Sequence, residues 1–394
     1  MTELSASPIS SESILGHLRA LVAADSSDPA AMVSPTHDAV VHCERTLSSA
    51  GFDVSIEDLG GGSVNMLAIR GMGAPGATPA CGVLFNCHLD TVKVNPNWTR
   101  DPFSLSVEGA GENARAYGLG ACDIKGAAAC LLAVAEATNE PMAVLFTTDE
   151  EGGKGACVSS FVRSDPAGWD VVVVAEPTGA RIVRQHRGFA SFEVSFSGTA
   201  GHTSGADAAA GSAIHKAVRW MNAALQLAEP GGVLDGSRFN IGIVSGGTAS
   251  NVVASETVVR FGFRPEPGED AEALTDERVR ALRALLPGDG SAAWTDRFLA
   301  PPLTADARTE AIAERWGVEA GPDVDFWTEA ALFSAGGGAA GGIPAVVLGP
   351  GDIAQAHAAD EFVLVSQLEA CARAYASIVR AGAGVASGGG VHAS

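Results

Sequence analysis

The stretch that decides the fold is NCHLDTV at residues 86–92, which directly follows the apolar run GVLF at residues 82–85. A short, continuous apolar run bounded by turn residues is typical of a fully buried strand. Open α/β sheets bind their ligands at the carboxyl ends of the strands. The pattern therefore places an imidazole, His88, and a carboxylate, Asp90, at the edge of a sheet where a site would form.

Acidic and imidazole side chains appear in comparable settings further along the chain. They are Asp123, Glu150, Glu151, Glu176 and His357. Taken singly, each has a structural explanation as a hydrogen-bonded or solvated side chain. Together they predict a metal centre, because several carboxylates at the ends of buried strands are costly to bury without a cation.

Strand-like and helix-like segments alternate through the first half of the chain. Strands are predicted at residues 54–56, 63–69, 82–85, 142–148 and 171–175, and helices at 11–22, 36–50 and 127–138. Fully apolar strands that alternate with helices are typical of an α/β domain with a mostly parallel sheet covered by helices on both faces. Since the carboxyl ends of such strands share one edge, we expect the site residues to converge there.

The texture of the sequence changes after Gly188. Residues 189–198 alternate apolar and polar side chains, as a strand with one face in water does. Helices and further alternating strands follow, which predicts an inserted α+β domain at residues 188–292. The catalytic domain then comprises residues 1–187 and 293–380, and residues 381–394 form a flexible tail.

Composition disfavours several classes of partner. The formal charge of −21 argues against nucleic acid, because a phosphate backbone needs clusters of lysine and arginine. The longest apolar run is about half of a membrane span, so no membrane contact is expected. Seven cysteines without a Cys-x-x-Cys pair favour free thiols in a reducing cytoplasm, and residues 1–13 show no signal-peptide pattern.

The turn GLGACDIKG at residues 118–126 precedes a helix that is rich in small residues. Glycine-rich turns before helices also cradle phosphates, but this one matches neither the dinucleotide pattern nor the P-loop pattern. A close approach of the backbone to the metal site explains the glycines better.

The donor types indicate which metals the site would hold. Histidine nitrogen and carboxylate oxygen suit zinc, and they also accept cobalt or manganese. One carboxylate can bridge two divalent cations roughly 3.5–4 Å apart, and Asp123 is the candidate for that position. Glu150 and Glu151 are neighbours whose side chains point to opposite sides of an extended segment. We therefore predict Glu151 as a ligand and Glu150 as the general acid–base that moves a proton from water to the leaving nitrogen.

The remaining histidines and Asp90 have other expected roles. Asp90 is placed to accept a hydrogen bond from the second ring nitrogen of His88, which fixes the tautomer of a metal-ligating imidazole. The other histidines that lack a comparable setting are expected to be structural or on the surface; they are His17, His37, His42, His186, His215 and His392.

Six segments of this chain resemble the co-catalytic zinc metallopeptidase (M20) family, which includes acetylornithine deacetylase, succinyl-diaminopimelate desuccinylase and aminoacylase. They are NCHLDTV (86–92), GLGACDIKG (118–126), TDEE (148–151), AEPT (175–178), GHT (201–203) and GPGDIAQAH (349–357). The resemblance covers nearly the whole chain, with the segments in the family's order. RFGFRP (260–265) and DFWTEA (325–330) are most similar to the acetylcitrulline deacetylases of the arginine-biosynthesis branch.

This resemblance implies how the two metal ions would be held. One zinc would be bound by His88, Asp123 and Glu176, and the other by Asp123, Glu151 and His357. A non-proline cis peptide bond would follow Asp123.

The resemblance also implies substrate contacts outside the metal centre. The inserted domain would act as a lid and as the dimerisation domain of a homodimer. Across this dimer, His202 would reach the neighbouring subunit's site and stabilise the developing oxyanion. Arg187, Asn251 and Arg264 would hold the substrate α-carboxylate, which an arginine fork binds through two parallel hydrogen bonds. Thr328 is a further candidate for substrate contact. Considered without the family, His202 and Arg264 fit a plain surface position equally well.

The implied reaction is hydrolysis of the acetyl–amide bond of a small N-α-acetyl amino acid, either N-acetylornithine or N-acetylcitrulline, with release of acetate and the free amino acid. Desuccinylases carry a glycine-rich segment where this chain has TEA at residues 328–330, which disfavours a succinyl substrate. The alternatives within the family are a succinyl-diaminopimelate desuccinylase, an aminoacylase, a dipeptidase or a carbamoylase. The alternative outside enzymes is a metal-binding scaffold that kept the fold.

Overall fold

The structure is a computed structural model that describes residues 9–27, 33–71, 82–153, 155–164, 168–205, 208–268, 270–336 and 342–382. The chain divides into two compact units. The first unit takes in the described residues of 1–184, 305–323 and 328–394, and the second those of 185–304 and 324–327.

The first unit contains two runs of regular elements. The first run is α1 (Ser11–Ala23), α2 (Asp38–Ser49), β1 (Asp53–Gly60), β2 (Ser63–Arg70), β3 (Val83–His88), β4 (Ser106–Glu108), β5 (Arg115–Tyr117), α3 (Lys125–Ala137), β6 (Met142–Thr147), α4 (Ala156–Ser164) and β7 (Val171–Val174). The second unit follows with β8 (Phe189–Ser197), β9 (Gly201–His202), α5 (Ala213–Leu227), β10 (Asn240–Gly246), β11 (Val252–Val253), β12 (Glu256–Phe263), α6 (Ala271–Ala284) and β13 (Ala292–Ala300). The first unit ends with α7 (Ala307–Trp316), α8 (Ala330–Ala335), β14 (Ala345–Val347), β15 (Phe362–Leu364) and α9 (Val365–Ala381).

A six-stranded mixed sheet forms the core of the first unit, in the order β1-β2-β6-β3-β7-β14. Strands β6, β3, β7 and β14 are mutually parallel, whereas β2 runs antiparallel to both of its neighbours. The predicted α/β class is therefore confirmed, with antiparallel pairing at one side of the sheet.

Helices cover this sheet in two groups. Helices α1, α3 and α9 pack on one another, and Tyr375 of α9 lies edge-on to Phe85 of β3 at 5.3 Å between ring centroids. Helices α4 and α8 pack together through Phe161 and Phe333 and contact β2, β7 and β14. Every residue of β3, β6 and β7 is buried, which explains why their sequences are continuously apolar and not alternating.

The parallel strands carry their carboxyl ends to one edge. His88 is the last residue of β3 and pairs with Thr147, the last residue of β6. Glu176 follows β7 by two residues, on the other side of β3. The sheet thus places the carboxyl ends of these neighbouring strands within side-chain reach of one another.

The second unit is built on a four-stranded antiparallel sheet in the order β10-β12-β8-β13. Strand β8 alternates buried and half-buried positions, as its sequence predicts. Aromatic side chains fill the space beneath the helices, and Phe261 contacts Trp220 of α5 and Trp294 of β13 with centroids 4.8 Å and 5.2 Å apart.

The second unit extends further along the chain than the sequence analysis expected. Strand β13 (Ala292–Ala300) pairs with β8 along its length, so the unit runs to Thr304 and not to residue 292. The difference arises because a register shift between Asp296 and Phe298 interrupts the apolar alternation that marks a strand. Of the predicted flexible tail, residues 383–394 lie outside the described residues. Among the described helices, none is long and apolar enough to cross a membrane.

Candidate metal centre

Two groups of three ligands meet at the carboxyl edge of the six-stranded sheet. The first comprises His88, Asp123 and Glu176, all buried. Nε2 of His88 lies 3.4 Å from Oδ1 of Asp123 and 3.6 Å from Oε1 of Glu176. These distances leave room for a cation between the three donors, each of which offers one ligand atom.

The second group comprises Asp123, Glu151 and His357. Nε2 of His357 lies 3.1 Å from Oε1 of Glu151 and 3.6 Å from Oδ2 of Asp123. Asp123 therefore turns one carboxylate oxygen toward each group, which is the arrangement that a bridging ligand requires. The peptide bond from Asp123 to Ile124 is cis, as the family resemblance implied.

Buried polar atoms without partners mark this place as a cation site. Within the described residues, Nε2 of His88 and Oδ1 of Asp123 are buried and have no hydrogen-bond partner. A buried polar atom without a partner costs about 1–3 kcal/mol, and a bound cation would satisfy both atoms at once. The donor set, imidazole nitrogen with carboxylate oxygen, fits a divalent metal of the zinc type.

The pKa values of several side chains in the two ligand groups are shifted by burial and by their neighbours. Burial raises the pKa of Glu176 to about 7, while the imidazole of His88 opposes the shift. The hydrogen bond to Glu151 raises the pKa of His357 to about 9. Burial lowers the pKa of His88, but the nearby carboxylates of Asp123, Asp90 and Glu176 outweigh it and leave the pKa well above its usual value. A metal ion at either group would replace these protons.

Asp90 contacts residues of both ligand groups. Nδ1 of His88 lies 2.9 Å from the backbone oxygen of Asp90 and 3.5 Å from its carboxylate Oδ1. The nearest acceptor for this ring nitrogen is thus the Asp90 backbone, and not the carboxylate that the sequence analysis favoured. The other carboxylate oxygen, Oδ2, accepts a hydrogen bond from the backbone N–H of Glu151 at 2.9 Å.

Glu150 lies among the metal-site charges without appearing in either ligand group. Burial raises its pKa well above the usual value, His88 opposes the shift, and Glu176 adds to it. A carboxyl group with a raised pKa can hold a proton and release it again, as general acid–base chemistry needs.

Two of the predicted substrate residues lie on one small ribbon of the second unit. Strands β9 and β11 pair antiparallel, with His202 opposite Val252, the residue that follows Asn251. The His202 ring is exposed, and its Nδ1 lies 2.7 Å from the hydroxyl of Ser204. The ribbon thus brings His202 and Asn251 together within the second unit.

The two predicted arginines differ in their availability. Nε of Arg187 donates to Asp325 at 2.8 Å, and another guanidinium nitrogen donates to the Gly236 carbonyl at 3.0 Å. In contrast, the Arg264 guanidinium lies over the Phe189 ring at 4.4 Å and donates no hydrogen bond to any described residue. Burial lowers the pKa of Arg264, and such a desolvated, unpaired cation suits an anionic ligand.

Thr328 is fully buried in the first unit, and its hydroxyl accepts a hydrogen bond from the N–H of Ala330, where α8 begins. The structure thus gives the Thr328 hydroxyl a local bond to the backbone two residues further on, which the sequence analysis did not anticipate.

Two buried carboxylates near the centre were missed as individual residues. Oε2 of Glu329 accepts a hydrogen bond from Thr147 at 3.1 Å, and burial raises its pKa to about 8. Glu361 accepts hydrogen bonds from the backbone of the glycine-rich turn at residues 118–126, and burial raises its pKa to about 8 as well. The available signal was their place in the sequence, since Glu329 is next to the candidate Thr328 and Glu361 follows the predicted ligand His357 by four residues.

Paired ligand groups at the carboxyl edge of an α/β sheet define a metal-dependent hydrolase. Residues 84–381 match the family described as peptidase family M20/M25/M40. The chain belongs to this family, and the predicted resemblance is confirmed.

Several characterised relatives share most of their length with this chain. An N-acetyl-L-citrulline deacetylase from Xanthomonas campestris is 41% identical over 372 residues, which cover 91% of this chain and 94% of the relative. An acetylornithine deacetylase from Myxococcus xanthus is 30% identical and covers 86% of this chain and 90% of its own length. A second acetylornithine deacetylase, from Proteus mirabilis, is 28% identical, with coverage of 82% and 84%.

Solved structures with the same fold include an aminopeptidase from Bacillus cereus, with a TM-score of 0.68, 19% identity and coverage of 95% and 99%. A dinuclear metal-binding peptidase of the M20 family from Bacillus subtilis has a TM-score of 0.62, 16% identity and coverage of 94% and 97%. At these identities the likeness establishes the shared fold.

Proposed function

We propose that this enzyme hydrolyses the acetyl–amide bond of N-acetylcitrulline, releasing acetate and the free amino acid. The convergence of two ligand groups on Asp123 supports the hydrolytic chemistry. The deacetylase that is 41% identical over nearly the whole chain supports the substrate. N-acetylornithine is the second candidate, favoured by relatives at 28% and 30% identity.

We propose two divalent cations, zinc in preference to cobalt or manganese, held by the two ligand groups. The two ligand groups, which share Asp123, support this number. When bound, the ions would polarise the acetyl carbonyl and lower the pKa of water.

Glu150 is the proposed general acid–base. Its carboxylate takes a proton from water as the oxygen attacks the acetyl carbon, and it then delivers that proton to the leaving amine nitrogen. Its raised pKa and its position next to the ligand Glu151 support this role. Asp90 holds His88 and the backbone of Glu151 in place while this happens.

Residues of the second unit are proposed to bind the substrate. Arg264 receives the α-carboxylate, supported by its unpaired guanidinium. Asn251 and His202 contribute polar contacts, with His202 donating to the developing oxyanion. Arg187 acts less directly, since its guanidinium already pairs with Asp325 and orders the chain around Arg264. Thr328 is proposed as a further substrate contact, and its hydroxyl oxygen also accepts a hydrogen bond from the N–H of Ala330.

We propose a homodimer formed through the second unit. Strand β10 is the edge of the four-stranded sheet, and its residues Ile243 and Val244 are about half exposed. An exposed apolar edge strand is a ready site for pairing with another chain. Helix α5 of the same unit also exposes Val218 and Leu225.

A cytoplasmic location is supported by the six cysteines of the described chain, all of which are buried free thiols.

The test is a direct competition between substrates. Purified, zinc-loaded enzyme is offered N-acetylcitrulline and N-acetylornithine at equal concentration. The released acetate and each of the two product amino acids are then measured. We expect kcat/KM to favour N-acetylcitrulline at least tenfold. Preference for N-acetylornithine would establish the second candidate instead. Comparable turnover of unrelated acetyl-amino acids would indicate an aminoacylase. Release of ammonia from a carbamoyl-amino acid would indicate a carbamoylase, and release of amino acids from a dipeptide would indicate a dipeptidase.

A further inference from the structure

The glycine-rich turn at residues 118–126 presents backbone N–H groups to an anion, and that anion is a side chain of the protein. Oε1 of Glu361 accepts from the N–H groups of Cys122 and Asp123 at 2.8 Å and 2.9 Å, and Oε2 accepts from Gly120 at 3.0 Å. Glu361 is 1% exposed. Consecutive N–H groups converging on one anion form the kind of nest that elsewhere binds phosphate.

Two features connect this nest to the metal centre. One of the three donors is the backbone N–H of Asp123, the ligand shared by both groups. Glu361 also follows His357 by only four residues, so the same short segment carries a ligand of the second group and the acceptor that holds the Asp123 backbone.

The intervening residue Asp360 fixes the same segment on its other side. Its Oδ1 accepts from the N–H groups of Thr99 and Arg100 at 2.9 Å and 3.3 Å. The side chain of Asn95 donates to the His357 carbonyl at 3.4 Å. Residues 357–361 are therefore anchored to two loops, one of which carries Asp123.

We infer that Glu361 is a positioning residue that sets the separation between Asp123 and His357, and so the affinity of the second metal group. This inference rests on the proposed two-metal function. Glu361 accepts its hydrogen bonds here from backbone N–H groups, so its positioning effect passes through the backbone of residues 120–123 and through the short segment to His357. The first group, His88 with Asp123 and Glu176, lacks His357 and depends on this spacing less.

The test replaces Glu361 by glutamine and titrates the metal-free protein with Zn²⁺ in competition with a fluorescent chelator. Glutamine keeps the shape of glutamate but turns an N–H₂ toward one of the N–H donors. We expect one of the two zinc equivalents to bind about 10- to 100-fold more weakly, as is typical when a partner of a metal ligand is removed. The other equivalent should change less than threefold. Glu57→Gln, at an exposed carboxylate of β1, is the charge-matched control and should change neither affinity.

A coupling measurement identifies which group responds. In a His357→Ala background, where the second group has already lost a ligand, Glu361→Gln should weaken zinc binding less than threefold further, because both changes act on one unit. Additive losses, equal losses at both equivalents, or unchanged affinities in Glu361→Gln would each overturn the inference.

Amide hydrogen exchange covers the case in which Glu361→Gln fails to fold. In the metal-free wild-type protein, the N–H groups of Gly120, Cys122 and Asp123 should be protected, and exchange as fast as in exposed loops would overturn the inference. The wild-type titration separates this result from the proposed function. A wild-type protein that binds two zinc ions and releases acetate leaves the proposed function standing whatever Glu361→Gln does, whereas a wild-type protein that binds no zinc overturns both.

Discussion

The carboxylate of Asp90 accepts a hydrogen bond from the backbone amide of Glu151, with 2.9 Å between Oδ2 and the nitrogen. The backbone oxygen of Asp90 lies equally close, 2.9 Å, to Nδ1 of His88. His88 belongs to one ligand group and Glu151 to the other. One aspartate thus holds a residue of each group, and its removal should disturb both.

Asp90→Ala should weaken binding of both zinc equivalents by about 10- to 100-fold, because the His88 ring loses a nearby carboxylate and the Glu151 amide loses its acceptor. Asp90→Asn keeps one oxygen that can serve Glu151, so its loss should be smaller. Calorimetric titration of the metal-free variants checks this. Wild-type affinity in Asp90→Ala would show that the Asp90 carboxylate does not order the ligands.

Glu150→Gln should lower kcat by about 10²- to 10⁴-fold, the usual contribution of a general acid–base. The amide cannot take a proton from water, yet it leaves both ligand groups intact, so the variant should still hold two zinc ions. Steady-state kinetics with metal analysis on the same preparation checks both points. Retention of more than a tenth of wild-type kcat would remove Glu150 from the mechanism.

Chelation should abolish acetate release and lower the thermal midpoint of unfolding, since a ligand that binds only the folded state stabilises it by mass action. Adding back zinc, cobalt or manganese should restore both, because the donor set accepts all three ions. Scanning calorimetry of metal-free and reloaded protein provides the measurement. Activity that survives complete chelation would contradict the proposed chemistry.

Acidification should destabilise the protein partly through His186. Burial lowers the pKa of His186 to about 4, compared with about 6.5 in the unfolded chain. As the pH falls, the unfolded chain protonates His186 at a higher pH than the folded protein does. The free energy of unfolding is therefore unaffected above pH 6.5 and falls as the pH drops toward 4. The expected loss by pH 5 is about 2 kcal/mol.

Urea unfolding of metal-free wild type and His186→Gln at pH 7.5 and pH 5 isolates this effect. The variant cannot titrate at this position, so its stability should fall by about 2 kcal/mol less between the two pH values. Equal pH dependence in the two proteins would show that His186 is not kept neutral.

Arg264→Lys should raise KM about 10- to 100-fold while kcat changes little, because lysine cannot offer the two parallel hydrogen bonds of a guanidinium and a charged hydrogen bond contributes about 1.5–3 kcal/mol. Arg260→Lys is the matched control, since Arg260 lies on β12 and pairs with the surface residue Glu193. The kinetics of both variants with the preferred substrate provide the check. An equal rise in KM for both would point to a general loss of charge.

Much of the fold could be predicted because its signals are local. Continuous apolar runs mark β3, β6 and β7 as buried strands, and strict alternation marks β8 as half-buried. Strand β13 escaped because its register shift breaks that alternation. The short strands β4, β5 and β15 escaped as well, since three residues are too few to show a period.

The amino-acid sequence alone was enough to determine the class of fold and the family and to predict the residues of the candidate metal centre, because these depend on side-chain chemistry at fixed places along each strand. Folding in three dimensions decided which atoms meet. It turned the two oxygens of Asp123 toward His88 and His357, occupied the Arg187 guanidinium with Asp325, and brought Glu361 to the N–H group of Asp123 across 238 positions of the chain. Such contacts join residues far apart in sequence, where no local periodicity records their proximity.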